Sequence, residues 1–185
     1  MADIRDSLKL IWAVEYSDDK RRALEKNPGE TGLTYKGIYQ TAHPQWDGWR
    51  IVRAAVRKYN NDLKLSSMML FDNPELEDLV VSFYKKEFWD KLKLDMVTSQ
   101  KVADEIFVFG VNVGLPPAVK AAQTLAGVIA DGVIGPKTIQ ALNKVDPAVY
   151  DVQYDLLEIE YYKNLAEQPR FKQFIKGWRN RANFV

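Results

Sequence analysis

The chain has 185 residues, of which 46% are hydrophobic and 28% are charged, a composition that predicts an ordinary soluble globular protein with a sizeable core. Its 26 basic and 25 acidic residues leave a formal net charge of +1, which gives no general electrostatic attraction to nucleic acids or membrane surfaces. Cysteine is absent and histidine occurs once, which excludes disulfide frameworks, thiolate metal sites and multi-histidine zinc sites.

The first predicted element is an amphipathic helix whose apolar stripe ends in an acid. Ile4, Leu8, Ile11 and Glu15 follow one another at the spacing of a single helix face. A carboxylate removed from water holds its proton more tightly, which is the property that a general acid needs near neutral pH. Position alone leaves two alternatives: Glu15 is a catalytic acid, or the helix ends near Val14 and Glu15 faces solvent or pairs with a nearby Arg or Lys.

The middle of the chain combines a charged loop with two predicted helices. The stretch from residue 17 to residue 32 is polar and rich in turn-forming residues, which predicts a long loop or an irregular hairpin. One apolar helix face then runs from Trp49 to Leu63, and a second helix begins after Asn73-Pro74. His43 precedes Pro44 in a turn-like segment, so we expect a turn residue rather than a ligand.

The second half is predicted to be helical throughout. The predicted segments are a helix face over 102–113 that ends at Gly114, a helix over 117–125, a glycine-rich turn over 131–136, and helices over 138–142, 147–166 and 170–181. No alternating run of apolar and polar residues is long enough to predict a sheet. The fold class is therefore mainly α, and the absence of a Ser/Gly linker permits only a soft domain boundary near residues 95–100.

Several motifs, in order, resemble one known family. Glu15, the charged loop and Gly32-Leu33-Thr34-Tyr35-Lys36-Gly37-Ile38 look like the opening of the phage-type muramidases of glycoside hydrolase family 108. The family has Glu-Gly-Gly-Tyr, then a loop, then Gly-x-Thr-x-x-Gly-Ile. Motifs of the second half are similar to the predicted peptidoglycan-binding domain that accompanies these enzymes: Val111–Gly114, Lys120–Gln123, Asp131–Thr138 and Gly177–Arg181.

The resemblance covers nearly the whole chain and implies both a fold and an activity. The implied fold is a lysozyme-like helical catalytic part, residues 1–97, packed against a small helical peptidoglycan-binding part, residues 98–185. The implied activity is hydrolysis of the β-1,4 bond after N-acetylmuramic acid in peptidoglycan. The chain differs from the family in two places: Tyr16-Ser17 stands where the family usually has Gly-Gly, and the loop before Gly32 is longer. Both differences affect the shape of the substrate groove that the resemblance implies.

Glycoside hydrolysis needs an acid for the leaving oxygen and usually a second group across the sugar. Glu15 suits the first role. For the second role we favour Glu30, which lies four residues before Thr34 in the loop where related lysozymes carry an acid. The rival loop acids are Asp18, Asp19 and Glu25. Thr34 matches the family's threonine and is expected to bind the attacking water or the second carboxylate; the alternative is a turn hydroxyl that caps the local backbone.

Aromatic and amide side chains complete the predicted substrate site. Flat rings bind the apolar C–H faces of sugars, and Tyr35, Tyr39 and Trp46 follow the proposed active loop closely. Trp49 is expected in the core instead, on the face of Val52. Asn112 follows an apolar run, where a buried amide must find partners, so it is either a substrate ligand or a helix-end hydrogen bond.

The resemblance implies no metal or organic cofactor, and it implies peptidoglycan glycan strands as the partner. Nucleic acid and stable membrane insertion are not expected, and the protein is expected to be a monomer. No signal peptide is evident, so we expect synthesis in the cytoplasm and delivery to the wall through a holin-like pore or a secretion route, in a phage, a prophage or a bacterial secretion system. Two alternatives stay open: a non-catalytic peptidoglycan-binding accessory protein and a lytic transglycosylase.

Overall fold

The computed structural model describes residues 1–16 and 19–168. It groups the chain into two compact units, one formed by Glu15–Tyr84 and the other by Met1–Val14 together with the chain from Lys85 onward. The predicted division between residues 97 and 98 stays a prediction. Asp18 and the predicted helix over 170–181, with its basic side chains, lie outside the described residues.

Helices dominate the described residues, as the sequence predicts. Their bounds are α1 (Ile4–Tyr16), α2 (Gly48–Lys58), α3 (Leu63–Phe71), α4 (Pro74–Tyr84), α5 (Gln100–Val113), α6 (Leu115–Leu125), α7 (Pro136–Leu142) and α8 (Pro147–Ala166). One small antiparallel sheet accompanies them, in the order β1 (Leu24–Glu25), β2 (Thr34–Tyr35) and β3 (Ile38–Tyr39). The mainly α class is confirmed, whereas the sheet is too short for sequence periodicity to detect.

The region between Trp49 and Leu63 contains two helices, so the prediction of one continuous face was wrong. Helix α2 ends at Lys58, and Asn60 and Asn61 then adopt φ angles of 53° and 63°. Asparagine tolerates this left-handed conformation better than most residues do. Asp62 begins α3, because its carboxylate accepts a hydrogen bond of 2.9 Å from the backbone N–H of Leu65.

A tight hairpin joins β2 to β3 in the Glu15–Tyr84 unit. Tyr35 pairs with Ile38, and the two residues between them, Lys36 and Gly37, have φ angles of 42° and 78°. Positive φ at both positions matches the twist of a two-residue hairpin. The Lys36 side chain is 2% exposed and reaches Glu77 at 2.6 Å, which leaves its charge paired inside the unit.

Gly37→Ala should destabilise the protein by about 2–3 kcal/mol, because an added Cβ combines a left-handed backbone with a collision. That Cβ would lie 2.6 Å from the hydroxyl oxygen of Tyr84, which donates a hydrogen bond to the Lys36 carbonyl. Gly29→Ala is the matched control, since Gly29 has φ +81° with no atom within 4 Å of the added Cβ. Urea unfolding of both variants measures the difference; equal losses would show that the Tyr84 contact adds nothing.

The other unit buries an acid on helix α5. Glu105 is fully buried, and burial raises its pKa to about 10, with the charges of Glu158, Asp155 and Asp151 acting in the same direction. The side chain is therefore neutral at physiological pH, which spares the core an unpaired charge. Helix α5 ends at Val113, and the next residue, Gly114, has a φ of 90° that favours glycine.

Candidate active site

Strand pairing brings three of the candidate residues into one row. Glu25 pairs with Thr34, and Thr34 pairs with Tyr39 across the neighbouring strand. Directly paired residues project from the same face of a sheet, so these three side chains lie next to one another. Glu25 is exposed, and Thr34 and Tyr39 are half-buried. We call this row the sheet site.

The opposite face of the same sheet is core. Its row consists of Leu24, Tyr35 and Ile38, which are at most 2% exposed. This burial leaves the sheet only one orientation, because a shift of one residue would turn the polar row inward. The sheet site is therefore the accessible face, held in place by apolar packing behind it.

The hydroxyl of Thr34 makes no hydrogen bond within the described part of the chain. Its Oγ1 atom is buried and has no hydrogen-bond partner among the described residues. The predicted alternative, a hydroxyl that caps the local backbone, would have produced such a bond. A buried polar atom without a partner costs on the order of 1–3 kcal/mol, so this oxygen is poised to bind water or a substrate hydroxyl.

Glu15 lies in the last turn of α1 and is half-buried. Helix α1 continues through Tyr16, so Glu15 lies inside the helix, one residue beyond Val14. Its role as the general acid stays a prediction. The backbone at Tyr16 is helical, so this residue adopts an ordinary conformation where the family usually has glycine. The Tyr16 ring packs edge-on against Phe71, with the ring centroids 6.1 Å apart.

The charges of Glu15 and of Glu25, which belongs to the sheet site, both act on Tyr16. Burial raises the pKa of the Tyr16 hydroxyl well above its usual value, and the charges of Glu15 and Glu25 raise it further. Both carboxylates thus act on the same phenol, while Arg22 opposes them. Among the described acids that the sequence nominated for the second role, Glu25 is the one whose charge acts on Tyr16 together with that of Glu15.

The carboxylates of Glu30 and Asp19 both make local interactions. The Glu30 carboxylate accepts a 3.0 Å hydrogen bond from the Asn27 amide, and the Glu30 N–H donates to the Asn27 carbonyl at 3.1 Å. Asp19 caps the short 3₁₀ turn Lys20–Arg22 and pairs with Arg21 at 2.6 Å. Hydrogen bonds from Arg21 hold the pKa of Asp19 below its usual value. Glu30 as the second carboxylate stays a prediction, and these bonds make it a weaker one.

The structure corrects the expectation for Tyr35, which is 1% exposed. Its hydroxyl donates to the Leu70 carbonyl at 3.0 Å, and its ring stacks on Trp46 with centroids 6.3 Å apart. Burial raises the pKa of this hydroxyl far above its usual value. A ring engaged on all sides offers no face to a sugar, so Tyr39 on the accessible row replaces Tyr35 as the aromatic candidate.

Trp46 is half-buried and anchored by its neighbours. Its indole N–H donates to the Leu79 carbonyl at 3.3 Å, and its ring meets Trp49 edge-on at 5.1 Å. Trp49 is 2% exposed, as expected for a core residue, and donates to the His43 carbonyl at 2.8 Å. His43 thus lies in a turn whose backbone the Trp49 indole helps to hold. Only the exposed part of Trp46 remains available to a substrate.

Asn112 does not have the buried setting that the sequence predicts. It lies on α5, in the unit that does not contain the sheet site, and its side chain is exposed. The apolar run before it packs other faces of the helix, and the Asn112 side chain, in the last turn of α5, is exposed. Its role as a substrate ligand stays a prediction without support from burial.

Neither a metal-binding cluster of side chains nor a membrane-spanning helix occurs within the described ranges. Residues 1–16 and 19–168 contain no group of three or more His, Asp or Glu side chains arranged to hold a metal ion. Among the helices in those ranges, none combines the length and the apolar character needed to cross a membrane.

Comparison with known proteins agrees with these features. Residues 23–114 match the family Glycosyl hydrolase 108, and residues 117–183 match the family Predicted Peptidoglycan domain. The first match includes the sheet site and begins after Glu15. No curated protein sequence matches the chain significantly.

A solved structure provides an independent comparison of the fold. SagA from Brucella abortus superposes with a TM-score of 0.63 at 23% identity, over 98% of this chain and 91% of that one. At this identity the likeness shows the fold alone. The two family matches follow each other in the order that the sequence motifs predict. The chain belongs to the glycosyl hydrolase 108 family of peptidoglycan hydrolases and carries a C-terminal peptidoglycan domain.

Proposed function

We propose that this hydrolase is an N-acetylmuramidase that cleaves the β-1,4 bond after N-acetylmuramic acid, with Glu15 as general acid and Glu25 as its partner. The observation that carries the assignment of Glu25 is its direct pairing with Thr34, whose buried hydroxyl lacks a partner among the described residues. The sheet site therefore offers a carboxylate and a hydroxyl oxygen, side by side, to one water molecule.

The division of labour follows from the chemistry of the bond. Cleavage requires a proton on the leaving oxygen, which a protonated Glu15 supplies as the C–O bond breaks. The water that attacks the sugar carbon must lose a proton, which the Glu25 carboxylate accepts. Thr34 Oγ1 holds that water in position. A carboxylate that works through water rather than attacking the sugar gives inversion of configuration at the sugar carbon.

Tyr39 contributes the sugar-binding surface in this arrangement. It completes the row of Glu25 and Thr34 and is half-buried, so part of its ring is accessible beside the proposed water site. Apolar ring faces pack against the C–H faces of sugars, and the phenol edge hydrogen-bonds their hydroxyls. The exposed part of Trp46 is a second candidate for the same use.

Digestion of purified peptidoglycan by the full chain tests the bond and the mechanism. We expect soluble fragments that end in reducing N-acetylmuramic acid, identified by mass spectrometry after borohydride reduction, and an inverted anomer in early NMR spectra. Anhydro-muramic ends would establish a lytic transglycosylase instead. Reducing N-acetylglucosamine ends would place the cut at the other bond, and wall binding without soluble fragments would establish a non-catalytic accessory protein.

We propose the bacterial cell wall as the place of action, reached through a holin-like pore or a secretion route. Support comes from the two family matches, both of which concern peptidoglycan. The expectations of a phage or prophage setting and of a monomer belong to the same proposal. Size-exclusion chromatography with light scattering measures the second of these directly.

A further inference from the structure

A buried glutamine organises the loop between α6 and α7. Gln123 is 1% exposed, and its amide N–H groups donate to the Asp131 carboxylate at 2.7 Å and to the Val133 carbonyl at 3.0 Å. Its side-chain oxygen accepts from the Gly132 N–H at 2.8 Å. The Asp131 carboxylate also accepts from the Val133 N–H at 2.9 Å. One side chain therefore holds three consecutive loop residues in a single conformation.

This well-held loop nevertheless presents apolar side chains to water. Ile129 is 85% exposed and Val133 is 67% exposed. Both line a cleft of about 700 Å³ between the loop and the start of α7. An ordered loop that exposes two branched apolar side chains beside a cleft is typical of a binding surface, because their burial against a ligand recovers the hydrophobic free energy.

The cleft continues along α7 with a different character. A second cleft of about 340 Å³ shares Lys137 with the first and is lined further by Gln140 and Lys144. We call the combined surface the α7 groove and define it by Ile129, Val133, Lys137, Gln140 and Lys144. One end of the α7 groove is apolar, and the other end carries cations and an amide.

The charges of the α7 groove favour an anionic ligand. Lys137 and Lys144 are exposed, and the Lys120 side chain passes beside Gly132 at the apolar end. The acid on the same surface, Asp131, has its Oδ1 atom engaged by Gln123 and by the Val133 N–H. The described residues that line the two clefts include no aromatic ring. A neutral sugar chain would find neither stacking surfaces nor a use for the lysines.

We propose that the α7 groove binds the peptide stem of peptidoglycan, a short acidic peptide with small apolar side chains. This proposal rests on the proposed function, since it takes peptidoglycan as the substrate, and it assigns the two parts of the polymer to different surfaces. Methyl groups of the stem lie against Ile129 and Val133. Its free carboxylates lie against Lys137 and Lys144, and Gln140 hydrogen-bonds the peptide backbone.

Titration of the full chain with a synthetic stem tetrapeptide, followed by NMR shifts and calorimetry, tests the proposal, because a glycosidase does not cleave this probe. Lys137→Glu should weaken binding by about five-fold or more, since it replaces an attraction with a repulsion. Ile129→Ser should weaken it by about ten-fold through lost apolar burial. The matched controls are Lys86→Glu and Val152→Ser, both at exposed positions outside the α7 groove; they should change the Kd less than two-fold.

Three outcomes would overturn the proposal: equal effects of the variants and their controls, tetrapeptide shifts located elsewhere, or shifts in the α7 groove caused by neutral chitotetraose instead. Circular dichroism should show native helix content for all four variants, because each substitution is at an exposed position. Failure of the stem peptide to bind the α7 groove is distinguishable from failure of the proposed hydrolase function. Release of reducing muramic acid ends by the unaltered chain would then still establish the hydrolase, and its absence would refute that function whatever the tetrapeptide does.

Discussion

Replacing Glu15 with Gln should lower peptidoglycan turnover by about 100- to 10,000-fold, the range that a positioned general acid contributes. Glutamine keeps the size of the side chain and its place in the last turn of α1, but it has no proton to give to the leaving oxygen. The half-buried position of Glu15 tolerates this change without repacking, so the melting temperature should stay nearly constant. The measurement is the rate of release of soluble muropeptides from purified peptidoglycan.

The companion measurement is sedimentation of the protein with intact sacculi. Binding should survive Glu15→Gln, because the substitution removes a catalytic proton and leaves the C-terminal domain unchanged. Retention of more than a tenth of the turnover would show that another group protonates the leaving oxygen. Loss of turnover together with loss of helix content would instead report unfolding, which circular dichroism distinguishes.

Replacing Glu25 with Gln should reduce turnover by about 100-fold or more, because the attacking water loses the base that accepts its proton. Glu30→Gln is the matched control: the same chemical change in the same loop, at a carboxylate that already accepts a hydrogen bond from Asn27. We expect that control to retain turnover within about three-fold, in line with the small effect of most surface substitutions. Both rates are measured on the same peptidoglycan preparation.

The pair of variants decides between two partners for Glu15. The sequence favours Glu30, and the pairing of Glu25 with Thr34 favours Glu25. If Glu30→Gln lost much of its turnover and Glu25→Gln lost little, Glu30 would be the base, as the sequence predicts. If neither variant lost turnover, Glu15 and Thr34 would be sufficient for cleavage, as in a transglycosylase, which uses a single glutamate. A search for anhydro-muramic ends among the products of Glu25→Gln tests that case.

The helices could be predicted because their signals are local. Helix α8 has the predicted bounds, and Asn73 caps α4 where the Asn73-Pro74 signal places its start, with its side-chain oxygen accepting from the Leu76 N–H at 2.9 Å. The prediction failed between α2 and α3, where apolar spacing continued across the turn by coincidence. Only the left-handed backbone at Asn60 and Asn61 reveals that break.

The sheet site could not be predicted because its strands are two residues long. Alternation over two residues carries no periodic signal, so the sequence predicts a loop or an irregular hairpin there. The pairing of Glu25 with Thr34 joins residues nine positions apart and depends on backbone hydrogen bonds between strands. Neighbouring residues of a strand also face opposite ways, which is why Tyr35 is buried while Thr34 beside it belongs to the accessible row.

The sequence by itself determined the mainly α class, the family resemblance and the acid at the end of α1's apolar stripe, because each of these follows from local spacing or from ordered motifs. Only the tertiary structure decided which carboxylate and which tyrosine accompany Thr34. That decision depends on strand register and on which face of the sheet packs against the core, and both are set by contacts between residues distant in the chain.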